Sequence, residues 1–168
     1  MLCQMLTWAG RSLALLALVV ATIGCDRVTK HLATENLAGE PTRSFLADTV
    51  RLTYAENLGG FLSLGAGMSP ALRTFVFNVA TGVLLLVLAV MAWRQRGSVW
   101  HTTAFSLFIA GGASNWFDRI YHGHVVDFLN VGIGSLRTGI FNVADVAITA
   151  GVVVFVIAEL RGRSVAAS

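Results

Sequence analysis

Thr138-Gly-Ile-Phe-Asn-Val-Ala-Asp-Val-Ala-Ile-Thr-Ala-Gly-Val-Val-Val-Phe-Val-Ile-Ala158 is 21 residues long and carries one charge, Asp145. A helix of that length spans about 30 Å, the thickness of bilayer hydrocarbon. An ionised carboxylate inside such a segment costs at least about 2.5 kcal/mol, so it demands a partner or a task. Two more stretches read as spans without any Asp, Glu, Lys or Arg inside them. One runs from Thr74 to Trp93, between Arg73 and Arg94; the other runs from Gly97 to Phe117, between Arg96 and Asp118.

The first apolar stretch is shorter. Only 14 uncharged residues, Ser12 to Cys25, separate Arg11 from Asp26. A cleaved leader ending at a lipoprotein-type Cys25 is one reading. Arg11 alone makes a thin basic start, however, and Thr22 stands where a lipobox prefers Leu. The reading adopted is a retained helix from about Trp8 to Thr29, with Asp26, Arg27 and Lys30 in its last turns. Charges there either snorkel outward or face the protein interior.

Composition agrees with a membrane protein. The 168 residues are 55% hydrophobic and 12% charged, against roughly 25% charged in soluble domains. The length suits one polytopic unit, 1–168, with spans at about 8–29, 74–93, 97–117 and 138–158. The net charge of +3 comes without a basic stripe interleaved with aromatics, which argues against a nucleic-acid partner. Cys3 and Cys25 on one helix would lie 22 residues apart, about 33 Å, too far for a disulfide.

Four spans put both termini on one side. The short flanks bearing Arg11, Arg94, Arg96, Arg161 and Arg163 contain one acid, Glu159. The positive-inside rule therefore puts both termini in the cytoplasm. The opposite side then holds a segment from about 31 to 70, where Val50-Arg-Leu-Thr-Tyr54 alternates like a strand. A turn at Gly59-Gly60 and an apolar stretch, Phe61 to Leu64, follow it, as in a small sheet on the membrane surface. The shorter segment from Arg119 to Arg137 contains Gly123, Gly132 and Gly134 and reads as loop-rich.

Polar residues gather toward that side. Asp145 is expected about two turns into the fourth helix, with Asn142 three residues earlier on the same face. Taken alone, the two fit a helix-packing hydrogen bond equally well. The third span ends Gly111-Gly-Ala-Ser-Asn-Trp-Phe-Asp-Arg119, with Asn115 and Asp118 three apart. Asp127 stands inside the apolar run Val125-Val-Asp-Phe-Leu129, as a carboxylate turned inward at a membrane boundary would. Two carboxylates brought together in low dielectric share a proton, one activating water while the other polarises a carbonyl. No HExxH, GxSxG or zinc-spaced Cys/His cluster is present, so no metal or cofactor is expected.

These residues resemble the motifs of the bacterial lipoprotein signal peptidases, or type II signal peptidases, over nearly the whole chain. Asp26-Arg-Val-Thr-Lys30 is similar to the family's D-x-x-[ST]-K, and Asn57-Leu-Gly59 to its N-x-G. Gly111 to Arg119 with Gly123 to Phe128 resembles the G-G…N-x-x-D-R…G-x-V-x-D-F block. Phe141-Asn-Val-Ala-Asp145 resembles F-N-x-A-D. The resemblance implies an all-α membrane protein with four transmembrane helices and a small extracytoplasmic β-cradle. It implies an intramembrane aspartic endopeptidase of the bacterial inner membrane, acting on lipid-modified prolipoproteins among membrane lipids. Cleavage would fall just before the diacylglyceryl-modified cysteine.

Carried over by motif, Asp127 and Asp145 are the catalytic pair, and Asn115, Asp118, Arg119 and Asn142 support it. Asp26 and Lys30 are structural or position substrate, and Asn57 lies on the surface cradle near the site. Two departures stand out. Asn57-Leu-Gly-Gly-Phe61 is one residue shorter than the family's N-x-G-x-x-F, and Ser114 replaces a common Gly. Tyr121, His122 and His124 read as loop or interfacial residues. The competing classes are a polar-lined transporter relaying protons through Asp127 and Asp145, and a catalytically silent relative that binds lipoproteins.

Overall fold

In a computed structural model, residues 2–60, 65, 67–94 and 98–166 are described. The expected apolar stretch Phe61 to Leu64 lies outside them. The uninterrupted apolar runs form helices: α1 (Leu2–Leu37), α3 (Thr81–Arg94), α4 (Val99–His122) and α5 (Val143–Ala166). A short α2 (Pro70–Thr74) and a π-helical turn (Phe75–Ala80) lead into α3. Ser69 caps α2, with Pro70 in the first turn, where its missing N–H costs nothing.

Among the described residues, three helical stretches are long and apolar enough to cross a bilayer: Arg11–Leu37, Pro70–Ala92 and Val143–Gly162. Helix α4 is the hub on which α1, α3 and α5 pack. Its 24 residues match a span in length. It is less apolar because Ser114, Asn115 and Asp118 near its end are buried polar residues.

The sheet is antiparallel, in the order β1 (Arg43–Phe45), β2 (Val50–Asn57), β3 (Val125–Ile133), β4 (Leu136–Arg137). The central pairing aligns Leu52 with Leu129 and, after an irregularity, Ala55 with Asp127 and Asn57 with Val125. Asp127 and Asn57 thus meet at one end of neighbouring strands. At the other end, Asp48 accepts hydrogen bonds from Ser44 and Arg51, and Arg137 Nη1 donates to the Asp48 carbonyl at 2.6 Å.

Three differences from the sequence-based expectation bear on the site. Helix α1 continues to Leu37 because Ala33 and Leu37 form a buried apolar cluster with Phe128 of the sheet. Helix α5 begins at Val143, not near Thr138, because Phe141 first bridges back to Leu129. Asp145 therefore stands in the first helical turn, not two turns in. The segment from Arg119 to Arg137, expected as loop, holds the end of α4 and the nine-residue strand β3. Its glycines mislead for separate reasons. Gly123 closes α4 in a left-handed conformation at φ 76°. Gly132 sits in the strand where β4 crowds it, and a Cβ there would lie 2.4 Å from the Leu136 carbonyl oxygen.

Helices α4 and α5 approach closely at Gly111, where a Cβ would lie 2.4 Å from the Ala144 carbonyl oxygen. That contact sets the depth at which the start of α5 lies against α4. Gly111→Val should therefore cost about 1–3 kcal/mol by overpacking, seen as a lowered Tm in detergent. Gly24→Ala, with nothing within 4 Å of the new methyl, should leave Tm unchanged or slightly raised.

Candidate active site

An apolar bundle tolerates a polar side chain only where a partner replaces water. The nine buried polar side chains among the described residues are Asp26, Lys30, Asn57, Ser114, Asn115, Asp118, Asp127, Asn142 and Asp145. Hydrogen bonds and ion pairs join all nine into one network. Among the described residues no buried side-chain nitrogen or oxygen lacks a partner.

The network grows from the start of α5. Asn142 precedes the helix, and its Oδ1 accepts from the Asp145 N–H at 2.9 Å. The Asp145 Oδ2 accepts in return from the Asn142 N–H at 3.2 Å. This is a reciprocal capping box, which satisfies orphan N–H groups and fixes the direction of both side chains. The Ala144 N–H, between them, donates to Asp26 Oδ1 of α1 at 2.8 Å. A carboxylate from another helix thus completes the cap, at the positive end of the α5 dipole.

Asn142 joins the two candidate carboxylates. Its Nδ2 donates to Asp127 Oδ1 at 2.7 Å, while its backbone and Oδ1 hold Asp145. Asn57 Nδ2 donates to the other Asp127 oxygen at 2.8 Å and to the Gly60 carbonyl at 2.9 Å. Asn115 Nδ2 donates to Asp145 Oδ1 at 2.9 Å. Asp127 and Asp145 are 2% and 7% exposed, so each replaces hydration with amide donors. Burial is the largest influence on the Asp127 carboxyl and pushes it up to about 6. The nearby Asp145 charge adds to the rise, and the Asn57 and Asn142 amides oppose it.

A second layer holds the asparagines. Lys30 Nζ reaches Asn115 Oδ1, Asp118 Oδ2 and Asp26 Oδ2, each at 2.7 Å. Arg27 pairs with Asp118 and donates to the Ser114 carbonyl. Ser114 Oγ donates to Asp26 Oδ2 at 2.7 Å. Helical spacing brings Asp26 above Lys30 on α1 and Ser114 above Asp118 on α4.

The nine residues that the motifs assign to the site converge here, though not in the same layer. Asn57 is buried against Asp127 and does not lie on an exposed surface. Asp118 touches Lys30 and Arg27 and makes no hydrogen bond to either candidate carboxylate. Arg119 donates to the Gly59 carbonyl at 2.7 and 3.1 Å and to the Asn115 carbonyl at 3.2 Å, so it braces the turn after Asn57. Tyr121 and His122 are exposed, and His124 faces Glu56 at 3.8 Å, outside the network. Sequence reading gave Arg27 no role in the site and Ser114 none beyond its departure from Gly. The available signal was their polarity: Arg27 adjoins Asp26 in the helix, and Ser114 replaces a common Gly.

Comparison with known proteins points the same way. A model of the family described as Peptidase_A8, signal peptidase (SPase) II, matches residues 18–161. The chain is similar to a lipoprotein signal peptidase of Lactococcus lactis subsp. cremoris (strain SK11), 32% identical over 151 residues, covering 89% of this chain and 96% of the relative. It is 35% identical over 142 residues to a lipoprotein signal peptidase of Shigella flexneri, covering 83% and 85%. A solved structure described as a bacterial membrane enzyme, determined by the in meso method at 2.3 Å, superposes with a TM-score of 0.76. It is 26% identical, and 90% of each chain is covered.

Asp26 provides a test of the network as a structural unit. Asp26→Ala removes an acceptor from the Ala144 N–H and from Ser114, and a counter-charge from Lys30, all of them buried. A loss of about 3–5 kcal/mol is expected, read as a fall in Tm. Glu35→Ala, an exposed change on the same helix, should stay within about 0.5 kcal/mol of the parent.

Proposed function

The chain belongs to the signal peptidase II family, and from that membership we propose that Asp127 and Asp145 form the catalytic dyad of an aspartic endopeptidase. It is a membrane protease that processes lipoproteins. The substrates proposed are prolipoproteins carrying a diacylglyceryl-modified cysteine, cut at the peptide bond just before it.

The observation that carries the dyad is the single buried network, in which Asn142 holds one oxygen of each carboxylate. Charge balance supports it. Asp26, Asp118, Asp127 and Asp145 face Arg27, Lys30 and Arg119, four potential anions against three cations. One proton shared between Asp127 and Asp145 brings the cluster to neutrality, the state that low dielectric favours. In that state the ionised member takes a proton from water as the water attacks the scissile carbonyl. The protonated member donates to the carbonyl oxygen as it gains charge. Collapse of the tetrahedral intermediate returns a proton to the leaving amine. The amide donors of Asn57, Asn115 and Asn142 hold both carboxyl groups in place through these steps.

We further propose that α4 is a fourth span and that both termini lie in the cytoplasm, with the dyad near the extracytoplasmic face. Two observations favour this arrangement. Arg161, late in α5, stacks over Trp100 at the start of α4 at 4.5 Å, at the end of these helices away from the sheet. The polar face of α4 is turned toward α1 and α5, so its charges need not meet lipid.

The test is release of signal peptide from a diacylglyceryl-modified prolipoprotein by the reconstituted protein. Asp127→Asn and Asp145→Asn should each lower turnover by at least about 10³-fold with Tm preserved. Near-normal turnover in either variant would remove the dyad. Proton flux across vesicles that needed no lipidated substrate would favour a transporter. The pH profile of kcat/KM is a separate check. The shared proton makes it bell-shaped, and its alkaline limb reports loss of that proton near the Asp127 value of about 6. Asn57 donates to ionised Asp127, so Asn57→Ala should move the alkaline limb to higher pH. Movement to lower pH would contradict this role for Asn57.

A further inference from the structure

Lys30 is a buried charge whose donors are all committed. An ammonium has three N–H donors, and each has one acceptor at 2.7 Å: Asp26 Oδ2 on α1, Asp118 Oδ2 on α4 and Asn115 Oδ1 on α4. The side chain is 6% exposed. No donor remains for a substrate carbonyl or carboxylate, so direct substrate contact is not its role.

What it does follows from the third bond. An asparagine amide has an acceptor end and a donor end that look alike in shape but differ in chemistry. Asn115 Oδ1 is approached by two groups that can only donate, Lys30 Nζ and Asn142 Nδ2, the latter at 3.2 Å. Turning the amide over would set its own N–H groups against both. The Asn115 Nδ2 is therefore committed to the opposite side, where it donates to Asp145 Oδ1 at 2.9 Å. A fixed donor facing a carboxyl oxygen favours the ionised form, and a fixed acceptor would favour the protonated one. Asp145 Oδ2 also faces a donor that cannot turn, the Asn142 backbone N–H.

We propose that Lys30 is a positioning residue for catalysis, acting through Asn115 to hold Asp145 as the ionised, water-activating member of the pair. The inference rests on the dyad reading above. With Asp145 ionised, the shared proton resides on Asp127. The charged groups facing Asp145 are Lys30 from α1, Arg119 from α4 and Asp127 from β3. Lys30 in turn makes ion pairs with Asp26 and Asp118 and also faces Asp127.

The experiment compares pH profiles of kcat/KM for prolipoprotein cleavage by the full-length protein in lipid. Lys30→Met and Lys30→Gln both remove the charge, but Gln keeps an N–H donor for Asn115. Lys30→Met should move the acid limb to higher pH by about one unit or more, because the freed amide no longer favours ionised Asp145. Lys30→Gln should fall between Met and the parent. Asn115→Ala should reproduce the Met shift, and adding Lys30→Met to it should produce little further movement. A purely structural role would lower the amount of folded enzyme and leave the profile unmoved. Coincident Met and Gln profiles, or additive shifts in the double variant, would overturn the proposal. So would an unmoved acid limb in Asn115→Ala, whether or not the Lys30 variants fold. None of these outcomes bears on the dyad, which stands or falls with the Asp127 and Asp145 variants.

Discussion

Four carboxylates at one end of an apolar bundle have to be neutralised, and the rest of the structure follows from how this is done. Water would solvate them at no structural cost. Here α1, α4, α5 and two strands must supply every donor instead. A buried charge missing its partner costs several kcal/mol, a large share of the net stability of an ordinary domain. The network is therefore close to all-or-none. That explains why the nine buried polar side chains among the described residues belong to one connected set.

The same requirement divides labour between the helices. Helix α1 contributes two cations and the remote cap: Lys30 balances Asp118 and Asp26, Arg27 pairs with Asp118, and Asp26 receives the Ala144 N–H at the start of α5. Helix α4 brings Asn115 between Lys30 and Asp145. The sheet adds Asp127 and Asn57 from adjacent strand ends. Gly111 lets α4 and α5 touch backbone to side chain, close enough for the asparagines to reach across. The asparagines suit the interior positions because each has one donor end and one acceptor end. They connect a cation or a backbone N–H on one side to a carboxylate on the other.

Much of the candidate site was legible in the chain because charge in an apolar run is costly and therefore conspicuous. Asp145, Asp127, Asp26 and Lys30 stand out for that reason alone. Asn115 and Asn142 stand out less, since an amide is cheap enough to serve as ordinary helix glue. The strand β3 was not legible. Gly132 within it and Gly123 and Gly134 on either side signal turns locally, and pairing with β2, some 70 residues earlier, overrides that signal. The start of α5 was misread by five residues because the Phe141 bridge to Leu129 is a long-range contact that no local pattern records.

The sequence by itself determined the membrane class, the apolar helices, the family motifs and the residues whose burial would need explanation. These follow from transfer free energies and helical periodicity, which act residue by residue. Only the tertiary structure decided the layers of the site. It separated Asn57 and Asn142, which touch Asp127, from Asp118 and Arg119, which do not. It also set Asp145 in the first turn of α5 and gave Lys30 three acceptors. Such assignments depend on which donor meets which acceptor across elements far apart in sequence. That is a matter of distance and direction, and it is absent from any one segment read alone.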